Sequence, residues 1–424
     1  MKKIFLALCL CGTFFAAAGQ PTTLKMTLEQ CIDYALQHNY EREANALNES
    51  ATQDLYRQSK MERLPDLSAE LGESVGYSKA NSSAFNGSYG VNASIPLYQG
   101  NISGNIEKNK LLSEQSVYRT KQYDNELTIQ ILQAFLSALG NEELLKHQQS
   151  LLQASEEQVK SGSERFRLGA ILESDYLLLQ SQYATDKNNI SETAIQRDKS
   201  LLTLKILLSI DPAQSLEIEY PDADMVELMV LPNEETVLKS ALATLPDLRI
   251  SRYNVDIAGA GVKIAKSGYT PTISLNGNLG SGHLNDFAHW GTQLSDRFTA
   301  QAGVTVSIPI YDRNRTKSNV TQSKISLEQA KLNEKQTELA LRQTVSQEYL
   351  NVVLSHNSFE TSKIKKNAYS ASLNAYRKQY EAGSITTVEL LQQQNNYINA
   401  LNDYIQDKYG FMLKRKILDV YMGK

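Results

Sequence analysis

The sequence predicts an α+β membrane protein made of two internal structural repeats, each joining a pair of barrel-spanning β-strands to a long helical hairpin. Three observations predict it. The chain repeats itself at a nearly constant offset, its prolines are confined to particular tracts, and apolar and polar residues alternate with period two at matching places in both halves.

The first nineteen residues have the layout of a secretory signal peptide, expected over 1–19. Lys2 and Lys3 are followed by an apolar run from Ile4 to Phe15, and Ala16, Ala17, Ala18 and Gly19 place a cut before Gln20. Cys9 and Cys11 would leave with it, and the leucines before them, Leu8 and Leu10, argue against a lipid-anchored start. Cys31 then remains alone, so no intramolecular disulfide forms, and it reads as a small apolar residue on a helix. A formal charge of −4 argues against a nucleic-acid partner. No segment is long and apolar enough for an ordinary spanning helix. A mean hydropathy of −0.38 still suits a membrane β-barrel, in which only every second strand residue faces lipid.

The repeat sets the domain plan. At an offset of 206, Ala35-Leu36 matches Ala241-Leu242 and Pro65 matches Pro271; at 213, Ser94-Ile95-Pro96 matches Ser307-Ile308-Pro309. At 214, Phe166 and Gly169 match Tyr380 and Gly383, followed by Asp175 with Glu389, Gln180 with Gln394 and Asn188 with Asn402. The offset grows between Pro65 and Gly90, so the second copy carries a longer loop there. The expected division is repeat one over 20–210, a linker over 211–233 with Pro212, Pro221 and Pro232, and repeat two over 234–424.

Within each copy a first helix is expected to lead into a strand pair, about 64–98 and about 270–311. Leu67, Ala69 and Leu71 alternate with polar residues, as do Tyr89, Val91, Ala93, Ile95 and Leu97. Ile273, Leu275 and Leu279 follow the same rule, and so do the even residues from Phe298 to Ile310. Phe85, Tyr89, Phe287, Trp290 and Phe298, in or beside the connecting loops, suit an outer-leaflet interface. Four strands cannot close a barrel, and open edges are not tolerated in hydrocarbon, so two copies would give eight strands and three would give twelve. The pattern alone also fits a soluble antiparallel sheet with one wet face.

No proline occurs from Leu97 to Asp211 or after Pro309, so these tracts read as helices, expected as hairpins over about 101–210 and 314–420. From Ile102 to about Arg165 a helix would run ~95 Å at 1.5 Å per residue. Gly169 and Gly383 suit positive-φ helix ends, with a second helix restarting near Ser174 or Thr386. The segments SIPLY and SIPIY mark strand-to-helix corners. Pro96 and Pro309 lack an N–H and can end a strand's ladder, while Tyr98 and Tyr311 suit the inner membrane–water face. The copies differ just beyond, Gln99-Gly100-Asn101 against Asp312-Arg313-Asn314.

Catalytic signals are thin. The five histidines are scattered without zinc spacing, and Gly259 and Gly261 sit in a stretch that reads as helix rather than a dinucleotide loop. No enzyme activity and no cofactor are expected. The same tracts also fit a soluble periplasmic coiled-coil adaptor or structural spacer.

Two copies of helix, strand pair, SIPxY corner and long hairpin, each with a Gly-x₅-Asp/Glu-x-Leu-x₂-Gln tip, resemble the TolC-like outer-membrane factors, the outer membrane efflux protein family. MTLEQCIDYALQHN near the start adds to the likeness, which covers essentially the whole mature chain. The resemblance implies a homotrimer in a Gram-negative outer membrane, with a twelve-stranded β-barrel in outer-membrane lipid continued by a long periplasmic α-helical barrel. The linker would fall in its equatorial belt. It implies an exit duct of a tripartite efflux pump or type I secretion system, partnered by a periplasmic adaptor (membrane fusion) protein and an inner-membrane RND or ABC transporter.

The family's residues transfer at the tips. Glu389 falls where gate carboxylates ring the periplasmic constriction, and three such groups would raise one another's pKa. Gln392 stands where a second acidic ring can occur. Asp175 corresponds to an acid that holds the closed state through a tyrosine, matched by Tyr380, and a basic residue whose place Ile385 takes. Leu168, Gly169 and Ala170, with Ala382, Gly383 and Ser384, fall where adaptor tips dock.

Overall fold

A computed structural model describes residues 24–77, 84–219, 231–284 and 289–423. The expected signal peptide, Pro221 and Phe287 lie outside the described residues. In chain order the elements are β1 (Leu24–Met26), α1 (Leu28–His38), α2 (Tyr40–Met61), β2 (Asp66–Gly76), β3 (Ala84–Tyr98), α3 (Gly100–Arg167), α4 (Glu173–Leu207) and β4 (Leu216–Ile218). There follow α5 (Glu234–Thr244), α6 (Pro246–Lys266), β5 (Thr272–Leu284), α7 (Trp290–Asp296), β6 (Thr299–Ser307), α8 (Arg315–Glu381) and α9 (Thr387–Tyr421). The duplication shows in the lengths: α3 and α8 have 68 and 67 residues, and α4 and α9 have 35 each.

The first helix expected in each copy is two helices. Asn39 leaves α1 at φ −69°, ψ 124°, and its Nδ2 donates to the Leu207 carbonyl at 2.9 Å. Leu245 stands at φ −66°, ψ 135° because it precedes Pro246, whose ring disfavours a helical conformation in the residue before it. The longer connection of the second copy holds a short helix, α7, rather than loop alone. Ser281 Oγ donates to the Leu294 carbonyl at 2.5 Å, and Gln293 Oε1 accepts from the Leu284 N–H at 2.8 Å. Gly259 and Gly261 lie on α6.

The chain divides into two compact units. One comprises the described parts of 1–39, 130–229 and 359–413. Its core is the belt Ile131, Leu132, Phe135, Leu136, Ala138 and Leu139, where α3 is buried on nearly every side, as expected of a helix apolar all round. Phe359 stacks on Phe411, ring centroids 6.1 Å apart, and Leu204, Leu208 and Leu401 complete the packing. Here too β1 pairs in parallel with β4. Cys31 is fully buried, and desolvation pushes its thiol up to about 12, which leaves it inert.

The other unit comprises the described parts of 40–129, 230–358 and 414–424. Its helices bury Leu127, Val237, Val345, Val352 and Leu418. Its sheet has strand order β2-β3-β5-β6, every neighbouring pair antiparallel. The register pairs Ala69 with Val91, Val91 with Leu279, and Leu279 with Ala300. Because side chains alternate, this register gathers Leu67, Leu71, Ile95, Leu275 and Val304 on one face and Ser68, Asn92, Asn278 and Gln301 on the other. Within the polar face, Ser94 Oγ donates to Asn276 Oδ1 at 2.9 Å. The apolar face is uncovered, with Leu71 81% and Val304 60% exposed. Neither the outer edge of β2 nor that of β6 has a partner among the described residues.

Candidate functional site

Both helical hairpins end their first helix in the same way. Gly169 and Gly383 take φ of +70° and +73°, a region that only glycine enters without cost. At the first turn the Gly169 N–H donates to the Phe166 carbonyl and the Ala170 N–H to the Arg165 carbonyl. At the second, the Gly383 N–H donates to Tyr380 and the Ser384 N–H to Gln379, the same two-bond closure of a helix C-terminus. Leu168, Gly169, Ala170, Ala382, Gly383 and Ser384 are all exposed.

The second helices start differently. α4 begins at Glu173, beside Ser174 as expected, and its N-cap residue Leu172 makes no side-chain capping hydrogen bond. α9 begins from Thr386 in a reciprocal cap. The Thr386 N–H donates to Glu389 Oε2 at 2.8 Å, and the Glu389 N–H donates to Thr386 Oγ1 at 3.3 Å. The Glu389 carboxyl is held below the usual carboxylate range, first by the Thr386 N–H and then by its hydroxyl. Within one chain the direction is therefore downward, opposite to what a ring of like charges would do. Gln392 is exposed, and its Nε2 reaches Asn396 Oδ1 at 3.5 Å.

Asp175 is half-buried in the first turn of α4 and makes no side-chain hydrogen bond or ion pair among the described residues. Tyr380 instead places its hydroxyl 3.4 Å from Thr387 Oγ1 and carries the Arg165 guanidinium over its ring, 5.0 Å from the centroid. Arg165 was not singled out in the sequence. It lies far from Tyr380 along the chain, and only the packing of α3 against α8 joins them. Arg165, Arg377 and Tyr380 line a groove of 520 Å³ with Gln158, Ser161 and Leu390.

At the first corner β3 pairs with β2 only as far as Ser94, but with β5 as far as Tyr98, with a register shift between Pro96 and Tyr98. Pro96 thus sits beyond the end of β2, where a missing N–H costs the ladder least. Helix α3 then starts at Gly100. A Cβ there would meet Thr270 Oγ1 at 2.7 Å and Ser267 Cβ at 2.9 Å, so the close approach requires glycine. At the second corner β6 stops at Ser307, so Pro309 and Tyr311 lie outside the sheet. Tyr311 is 82% exposed against 46% for Tyr98. Arg313 and Asn314 take φ of +56° and +62°, and Asp312 Oδ2 accepts from the Thr316 N–H at 2.7 Å to start α8. The side chain and N–H of Thr316 hold the Asp312 carboxyl below its ordinary range.

No three His, Cys, Asp or Glu side chains gather to hold a metal among the described residues.

The sequence profile described as "Outer membrane efflux protein" matches residues 31–209 and 237–423. Outer membrane efflux protein BepC of Brucella suis is 31% identical over 159 residues, 38% of this chain and 34% of that protein. Outer membrane protein TolC of Escherichia coli is 24% identical over 100% of this chain and 87% of its own length. The crystal structure of the Campylobacter jejuni CmeC outer membrane channel superposes with a TM-score of 0.77 at 17% identity, covering 93% of this chain and 85% of that one.

Proposed function

The chain belongs to the outer membrane efflux protein family, and from that premise we propose that it forms, as a homotrimer, the exit duct of a tripartite efflux pump or type I secretion system. The family and its location in the outer membrane set aside the soluble spacer reading. The observation that carries the proposal is the sheet. Among the described residues it has one uncovered apolar face, one polar face and two unpaired edges. In hydrocarbon such a sheet is stable only when its edges close on further copies, the apolar face meets lipid and the polar face lines water. Three copies give twelve strands.

In this reading the division into 20–210, 211–233 and 234–424 gives each subunit two hairpins, and Tyr98 and Tyr311 lie at the periplasmic face of the membrane. The exposed turns 168–170 and 382–384 receive a periplasmic adaptor protein, which links the duct to an inner-membrane RND or ABC transporter. Glu389 of three subunits faces the narrow end, with Gln392, Asp175 and Tyr380 nearby. A capping carboxylate is still free to present its outer lone pairs to passing cations.

Purified protein in planar bilayers tests this. The expected result is a trimer that requires detergent for extraction and conducts ions, with Glu389→Ala lowering its preference for cations. A monomer released with the soluble periplasm, raising no conductance, overturns the duct. Unchanged selectivity in Glu389→Ala removes Glu389 from the constriction.

A further inference from the structure

Asp186 lies on α4 with its side chain turned away from solvent, the residue only 5% exposed. Its Oδ2 accepts from the Ser155 hydroxyl of α3, and its Oδ1 accepts from Gln182 Nε2 at 2.8 Å. Gln394 of α9, 0% exposed, donates through Nε2 to Ser155 Oγ at 3.1 Å and stands 3.5 Å from Asp186 Oδ2. Three helices therefore meet at one buried polar point. The point is incompletely satisfied. Asp186 has no cationic partner, and Gln394 Oε1 is buried with no donor, among the described residues.

A buried carboxylate without a cation, beside an unpaired amide oxygen, holds helices together less well than apolar packing would. The second repeat has an apolar residue at the position of the carboxylate. At the offset of 214, Asp186 corresponds to Ala400, which is buried. The polar point is thus a feature of one seam and not a requirement of the duplicated fold.

We propose that Ser155, Asp186 and Gln394 form a proton-controlled joint between the α3–α4 hairpin and α9, loose when Asp186 is ionised and tight when it is protonated. The proposal rests on the duct reading for its consequence, which is that acid holds the periplasmic end closed. Ser155 of α3, Gln182 of α4 and Gln394 of α9 face the carboxyl, and it makes no ion pair among the described residues. The flanking Glu156, Glu157 and Lys187 are exposed. Burial pushes the Asp186 carboxyl up, and the hydrogen bonds from Ser155 and Gln182 pull it back only in part. A raised carboxyl favours the packed seam below its ordinary titration range, and that advantage is lost as pH rises through the raised value.

The test compares the full-length protein with Asp186→Asn, Gln394→Glu and Glu156→Gln, recording open probability in bilayers against pH. In the wild type the opening equilibrium falls on acidification by up to about tenfold per pH unit per subunit, the limit for one proton. Asp186→Asn loses that response and stays at the closed limit, while Glu156→Gln, at an exposed carboxylate beside Ser155, keeps it. Gln394→Glu adds a second carboxyl and moves the midpoint to higher pH. Wild-type titration in Asp186→Asn overturns the joint; should Asp186→Asn not fold, wild-type titration in Gln394→Glu does so. Thermal unfolding in detergent separates the two readings. A protein that never conducts, yet gains stability on acidification through Asp186, overturns the duct and keeps the joint. One that conducts with an unaltered Asp186→Asn profile does the reverse.

Discussion

The two hairpin turns finish one helix identically and begin the next differently. Gly169 and Gly383 have nearly the same φ, and the same pair of hydrogen bonds closes α3 and α8 behind them. Yet α9 opens on the Thr386–Glu389 cap, whereas α4 opens on Leu172, which caps nothing and leaves its apolar side chain in water. Duplication preserved what backbone sterics demand, a residue able to take positive φ. It did not preserve what a side chain supplies, because water can satisfy the first N–H groups of α4 in place of a cap. The capped turn is the more fixed of the two, and it carries the carboxylate assigned to the narrow end. The exposed leucines of the other turn, Leu168 and Leu172, make it the more apolar surface of the two.

Three changes break or sharpen this contrast. The largest effect is expected from valine at the glycines. Gly169→Val and Gly383→Val each force a β-branched residue into the left-handed region, at about 1–3 kcal/mol. Hydrogen exchange at 166–170 and 380–384 will rise alike in both; a tolerant turn at either site would end the claim that they close alike. Next, Thr386→Ala removes the cap and costs about 1 kcal/mol, and Leu172→Ser returns a similar amount or less to α4. Exchange at the first turns of α9 and α4 then moves in opposite directions, and the difference between the turns shrinks. The smallest effect is the pH dependence of the cap. A carboxyl lowered in the folded state contributes stability above the ordinary glutamate range and loses it as pH falls through the lowered value. Acid titration below about pH 4 therefore frays α9 at Thr386 and leaves the start of α4 unchanged. Glu389→Gln removes the pH dependence, and an equal response at both turns would refute the contrast.

The strand-to-helix corners show the same division. Both contain Ser-Ile-Pro-x-Tyr, but β3 continues through Tyr98 because β5 extends beside it, while β6 ends at Ser307. The motif was legible in the sequence; the different ends of the ladder depend on strands that lie elsewhere in the chain. Likewise Thr386-x-x-Glu389 is a readable capping pattern, and the break before Pro246 follows from a local steric rule. The break at Asn39 is bound up with a carbonyl of Leu207, 168 residues away.

By itself the sequence determined the duplication, the glycine turns, the helical tracts and the alternating strands, because each depends on backbone sterics or on a period of a few residues. Tertiary structure alone decided the strand register that makes one face of the sheet apolar, the Arg165 guanidinium over Tyr380, and the meeting of Ser155, Asp186 and Gln394. Those contacts join residues far apart in sequence. Their partners are chosen by how helices and strands pack, and no local pattern records that choice.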